Sequence, residues 1–134
     1  MTYAVQAMMD LPPLDNGERG VVINTTSAAY QDGQVGQSAY AASKGAIASM
    51  CLPLARELAR PGIRVNAIAP GLFNTPMMES LPEETTAAIV ANVPFPARLG
   101  HPAEFGQLVA SIVENPYLNG ETIRLDGATR LPPK

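Results

Sequence analysis

The run "VVINTTS", Val21–Ser27, constrains the fold of this chain more than any other stretch. It is β-branched and apolar without alternation, and its polar residues come only at the end. A strand of that kind has two faces to bury, which predicts a place in a parallel sheet covered on both sides. "IRVNAIAPG", Ile63–Gly71, reads as a second short strand ending in a Pro-Gly turn, and "NGETIRLDGA" supplies a turn and a third. Between the first two, small helix-forming residues predict one helix over 38–60, kinked by Pro53 and stopped by Pro61-Gly62. Before the third, "HPAEFGQLVASIVEN" places Pro102 at a first helical position, with Phe105, Leu108, Val109 and Ile112 at helical spacing. Repeated strand–helix–strand units imply right-handed crossovers and hence an α/β parallel sheet of about three strands.

The rest of the chain is punctuation around these units. The opening "MTYAVQAMMD" reads as the second half of an amphipathic helix with no cap in front of it, residues 10–20 and 28–37 as loops, and residues 82–91 as a short helix. At 134 residues the length suits one domain. A net charge of −3 gives no reason to expect nucleic acid or an anionic membrane as partner. No apolar run approaches the roughly 18 residues of a membrane-spanning helix, and the opening residues lack the pattern of a signal peptide. The single cysteine, Cys51, lies in an apolar helical run and reads as a small core residue in a reducing compartment, so the expected location is cytoplasmic. Three strands are few for such a sheet. "VVINT" is expected at an edge, lacking a neighbour that this sequence does not contain, and such an edge invites association. The chain is therefore expected to be the C-terminal part of a single larger domain.

Ligands of open parallel sheets bind beyond the carboxyl ends of the strands. Thr25, Thr26 and Ser27 end the first strand, and Pro70 and Gly71 end the second. Tyr40 and Lys44 begin the helix between them, four residues apart on one helical face. That pair alone is also what a surface tyrosine beside a snorkelling lysine looks like. With Ser27 placed 13 residues before Tyr40, a hydroxyl, a phenol and an ammonium converge on one rim and form an acid–base site. Other chemistries find less support. His101, the one histidine, reads as a helix entry; "GQSAY" lacks the closing glycine of a nucleophile elbow; and no Cys/His cluster has metal-ligand spacing. Met8, Met9, Met77 and Met78 read as packing residues, the last two suited to an adaptable wall for an acyl chain.

"INTTS", the 13-residue interval, "YAASK" and "RVNAIAPGLFNT" together resemble the catalytic half of a short-chain dehydrogenase/reductase. The match runs from about Gly20 to Ala128. Within that family, "GQVGQSAYAASKGAIASMCLPLARELA" and "ENPYLNGETIRLDGA" are most similar to the 3-hydroxyacyl-CoA dehydrogenase type 2 group. The resemblance implies the C-terminal part of a Rossmann-type doubly wound sheet. It also implies hydride transfer between NAD and the 3-hydroxyl or 3-keto group of an acyl-CoA, in a homo-oligomer that is a tetramer in the family. A 3-oxoacyl-carrier-protein reductase using NADPH and a truncated, non-catalytic subunit are the alternatives.

Carried over, Tyr40 is the general acid/base, Lys44 holds the nicotinamide ribose and favours the phenolate, and Ser27 hydrogen-bonds the substrate oxygen. Pro70, Gly71, Leu72, Phe73 and Thr75 resemble the turn that packs on the nicotinamide. Gln34 either faces the acyl group or is a solvated loop residue. The family's glycine-rich phosphate loop, its NAD/NADP determinant and the asparagine that completes its catalytic group have no counterpart in these 134 residues, so they are expected before Met1.

Overall fold

The computed structural model describes residues 1–80 and 82–133, without the side chains of Met77 and Glu79. Helix α1 (Thr2–Met9) leads into β1 (Gly20–Thr25), then α2 (Ala29–Asp32), α3 (Ser38–Ser49), α4 (Cys51–Glu57) and β2 (Ile63–Pro70). Helices α5 (Pro76–Glu79), α6 (Glu83–Val90) and α7 (Pro102–Glu114) precede β3 (Thr122–Leu125). The sheet is parallel throughout, in the order β1-β2-β3, with Gly20 opposite Ile63 and Ala67 opposite Thr122. Among the described residues β1 pairs only with β2, so its other side is an edge, as its sequence predicts. No described helix is long and apolar enough to cross a membrane.

Strand β2 is central, and Ile63 to Ala69 are all buried. On one face Val65 and Ala67 pack with Cys51 and Ala55 of α4, flanked by Val22, Leu54 and Leu58. Cys51 is core, as expected: its thiol lies 3.4 Å from the carbonyls of Val65 and Glu121, and burial pushes its pKa up. The other face receives α7 through a buried arginine. Arg64 donates to the carbonyls of Ile112 (2.8 Å), Val113 (3.0 Å) and Leu118 (2.9 Å), and pairs bidentately with Glu18. The last carbonyls of a helix have no partner within it, so this guanidinium supplies their donors and places a cation at the negative end of the helix dipole. Asn66 makes a similar bridge, donating to Leu118 and accepting from the Glu121 N–H.

Three expectations need correction. The helix over 38–60 is two helices, divided at Met50 and ending at Glu57. Pro53 cannot donate to the turn before it and its ring crowds the carbonyl four residues back, so the helix is interrupted at Met50, whose backbone stays helical, and the proline occupies the first turn of α4. The stretch 28–37 contains the short helix α2 rather than loop alone. Met8 packs on Gly20, but Met9 is exposed and is no packing residue. Met77, read as part of an acyl wall, has its side chain outside the described residues.

Candidate active site

The β1–β2 ladder continues past the end of β1 and carries Ser27 to the rim. The N–H of Thr26 donates to Ile68 (2.9 Å) and that of Ala28 to Pro70 (3.0 Å). Ser27 Oγ accepts the Ala29 N–H at 3.2 Å, which leaves its own proton free to donate. Thr26, buried beside it, donates its hydroxyl to the backbone carbonyl of Lys44 at 2.6 Å. One side chain thus ties the strand end bearing Ser27 to the helix bearing Lys44. In the sequence Thr26 reads only as a strand-end residue, and nothing in its spacing points to this bond.

Tyr40 and Lys44 stand one turn apart on α3, with Lys44 Nζ 5.7 Å from the centre of the Tyr40 ring. The phenol is 47% exposed, so it is open to a ligand rather than locked in the core.

The turn after β2 is held from two sides. The Gly71 N–H donates to Leu125, and a Leu72–Gly100–Asn74 exchange (2.9 and 2.8 Å) pins the next residues to the approach to α7. A Cβ at Gly71 would stand 2.6 Å from Asp126 Cβ and 2.8 Å from its Cα, so only glycine lets the ends of β2 and β3 come this close. Phe73 meets Phe105 of α7 edge to face at 6.2 Å. His101 is the N-cap residue of α7, and the Glu104 carboxylate accepts its N–H at 2.7 Å, which agrees with the helix-entry reading.

Ser27, Gln34, Tyr40, Pro70, Gly71, Leu72, Phe73 and Thr75 all line one open cavity of about 660 Å³. Lys44 does not line it; its ammonium reaches the site only alongside Tyr40. Gln34 is not a freely solvated loop residue: it faces the cavity while its Nε2 donates to the Pro132 carbonyl at 3.1 Å. Met78, Phe105 and Leu131 complete an apolar wall. Met78 was expected there; Phe105 and Leu131 were not, because residues 65 and 91 positions beyond Tyr40 leave no local signal. The set suits a nicotinamide by its own chemistry: a phenol and an ammonium on one helical face, opposite an apolar turn that offers backbone groups. Among the described residues no group of His, Cys, Asp and Glu could hold a metal ion.

Residues 1–128 match the family described as Enoyl-(Acyl carrier protein) reductase. The chain is 60% identical over 121 residues to the 3-hydroxyacyl-CoA dehydrogenase type-2 of Homo sapiens, covering 90% of this chain and 46% of that protein. It is 55% identical to the protein of the same name from Drosophila melanogaster, again over 90% of this chain and 48% of the relative. A 3-oxoacyl-(acyl-carrier-protein) reductase of Thermotoga maritima is 37% identical, over 89% of this chain and 49% of its own length. The chain thus spans about half the length of the curated relatives it matches. Its fold superposes on the crystal structure of 3-hydroxyacyl-CoA dehydrogenase type-2 from Mycobacterium avium with a TM-score of 0.97 and 47% identity, over 99% of this chain and 52% of that one. Sequence, sheet order and rim geometry lead to one conclusion: the chain belongs to the short-chain dehydrogenase/reductase family, and within it is similar to 3-hydroxyacyl-CoA dehydrogenases of type 2.

Proposed function

We propose that this chain is the catalytic half of an NAD-dependent 3-hydroxyacyl-CoA dehydrogenase. In this reading the phosphate-binding half of the sheet and the residue that selects NAD over NADP belong to a preceding segment. The observation that carries it is the convergence of Ser27, Tyr40 and the 70–75 turn on one cavity, with Lys44 beside the phenol. Higher identity to the type-2 dehydrogenases than to the carrier-protein reductase favours acyl-CoA and NAD over acyl-carrier protein and NADPH.

Pro70–Thr75 would hold the nicotinamide, which when bound would supply the hydride acceptor. Ser27 Oγ donates to the 3-oxygen of the substrate and orients it. The Tyr40 phenolate takes the hydroxyl proton as the C–H bond gives up its hydride, and the 3-hydroxyl becomes a 3-keto group. Lys44, whose ammonium stands 5.7 Å from the centre of the Tyr40 ring, would hold the ribose hydroxyls. Thr26 keeps the helix and the strand end in register through its bond to the Lys44 carbonyl. The reverse reaction uses the same groups, with Tyr40 as the acid.

The test is reduction of NAD⁺ by a short 3-hydroxyacyl-CoA, catalysed by the full-length protein that carries these residues. Steady turnover with NAD⁺ over NADP⁺ is expected. Turnover confined to 3-oxoacyl-carrier protein with NADPH would replace this reading with the reductase, and no turnover with either would end both. A homo-oligomer, a tetramer in the family's pattern, and a cytoplasmic location belong to the same proposal. The first is checked by sedimentation and the second by fractionation.

A further inference from the structure

After β3, residues 129–133 run as a strap along the 32–35 segment, and Leu131 lines the cavity. A largely buried ion network fastens it. Arg124, at the end of β3, donates to both oxygens of Asp32 at 2.8 and 2.9 Å, to Asp126 at 2.7 Å and to the Thr129 carbonyl at 3.1 Å. The side chains of Asp32 and Arg124 are only 4% and 14% exposed. Asp32 Oδ2 also accepts the Leu131 N–H at 2.9 Å. Two further bonds follow in register, from Gln34 Nε2 to Pro132 and from the Val35 N–H to Pro133, at 3.1 and 2.9 Å. Strap and 33–37 loop are therefore zipped together. The loop leads directly into the helix that carries Tyr40.

This arrangement has a consequence for the cleft. If the 70–75 turn is taken by the nicotinamide, the apolar wall left for a substrate carbon chain is Leu131, Phe105 and Met78, with Gln34 beside them. Phe105 and Met78 belong to helices. Leu131 belongs to no element and is placed by its own N–H on Asp32. We propose that Leu131 is a specificity-determining residue of the acyl side of the cleft, and that Asp32 and Arg124 are positioning residues that hold it there. The proposal rests on the dehydrogenase reading above. Burial alone would raise the Asp32 pKa, yet the bonds from Arg124 and Leu131 outweigh it and hold the carboxyl below its ordinary value, so the network stays charged.

The test uses the full-length protein and two straight-chain 3-hydroxyacyl-CoA substrates, one short and one long. The quantity read is the ratio of their kcat/KM values, which does not depend on how much of the enzyme is correctly folded. One extra methylene in an apolar pocket changes selectivity by about 10–200-fold, so Leu131→Phe should shift the ratio at least about tenfold toward the short chain, mainly through KM of the long one. Leu131→Ala should shift it toward the long chain. Asp32→Asn, which leaves Leu131 in place but removes the charge that pairs with Arg124 and weakens the acceptor of the Leu131 N–H, should move the ratio toward one. An unchanged ratio in the two Leu131 variants would overturn the specificity role, and an unchanged ratio in Asp32→Asn would overturn the positioning role.

Amide exchange separates this proposal from the dehydrogenase reading. Asp32→Asn should speed exchange at Leu131 and Val35 at least about tenfold while Ile68 in the sheet stays protected. If the wild type turns over no acyl-CoA, the functional reading fails, and exchange still decides whether Asp32 holds the strap. Unchanged exchange at both amides would show that it does not.

Discussion

At the scale of residues, the candidate site separates proton transfer from placement. Tyr40 presents a half-exposed phenol to the cavity, and nothing in the core depends on its hydroxyl. Tyr40→Phe in the full-length protein should therefore lower kcat by about 100-fold or more, the usual weight of a general acid–base group, with dinucleotide affinity changed only a few-fold. Stopped-flow turnover and fluorescence titration of the cofactor read the two separately. A variant keeping a tenth of kcat would remove Tyr40 from that role. Lys44→Ala should lower both quantities, because the ammonium is assigned the phenolate and the ribose together. Unchanged dinucleotide affinity in that variant would end the second assignment. Thr26 is the residue of this group that chemistry-bearing patterns cannot announce. Its hydroxyl works on a backbone carbonyl 18 residues away, so it looks in the sequence like any threonine ending a strand.

At the scale of elements, the legible part was whatever follows from local pattern. The three strands, the α7 entry at Pro102 and the parallel order all follow from apolar runs, turn residues and alternation of element type. The cavity rim was legible too, because Ser27, Tyr40 and Pro70 lie at element ends. What fastens the elements was not. Arg64 and Asn66 interrupt an apolar strand for reasons 48 to 55 residues away, in the last carbonyls of α7, the Leu118 carbonyl and the N–H of Glu121. Arg64→Met should consequently cost about 3–5 kcal/mol, the loss expected when one partner of a buried ion pair is removed. It leaves the Glu18 carboxylate and the α7 carbonyls without their donor. Urea denaturation of the full-length protein checks this, and a loss below about 1 kcal/mol, the level of an exposed pair, would refute it.

The entry of α7 adds a pH dependence of defined sign. Glu104 is held down to about 2 from its ordinary 4.5, first by its hydrogen bonds from Arg98 and then by the His101 N–H. A depressed carboxyl stabilises the fold above its ordinary value and loses that contribution as pH falls toward its folded value. The first turn of α7 should accordingly loosen between about pH 4.5 and 2. Glu104→Gln should loosen it at neutral pH as well. Amide exchange at Glu104 and Phe105 across that window is the measurement, and flat protection down to pH 2 would contradict it.

At the scale of the molecule, the sheet order explains what this chain can and cannot hold. A dinucleotide lies across the carboxyl ends of a parallel sheet, with its nicotinamide at one set of strand ends and its pyrophosphate on a glycine-rich turn at another. In the proposed reading the described strands supply the first set, with Ser27 after β1 and the 70–75 turn after β2. No glycine-rich phosphate loop occurs in the 134 residues, and β1 offers an unpaired parallel edge among the described ones. In the proposed reading the contacts present serve a nicotinamide ring and a ribose, whereas much of a dinucleotide's binding rests on its phosphates. The 134-residue chain alone, titrated with NAD⁺ by calorimetry, should thus bind no tighter than about 1 mM, or roughly −4 kcal/mol. Its open edge should also make it self-associate, which sedimentation at rising concentration would detect. Micromolar binding by a folded monomer would overturn both expectations, because the phosphate site would then have to lie within the residues described above.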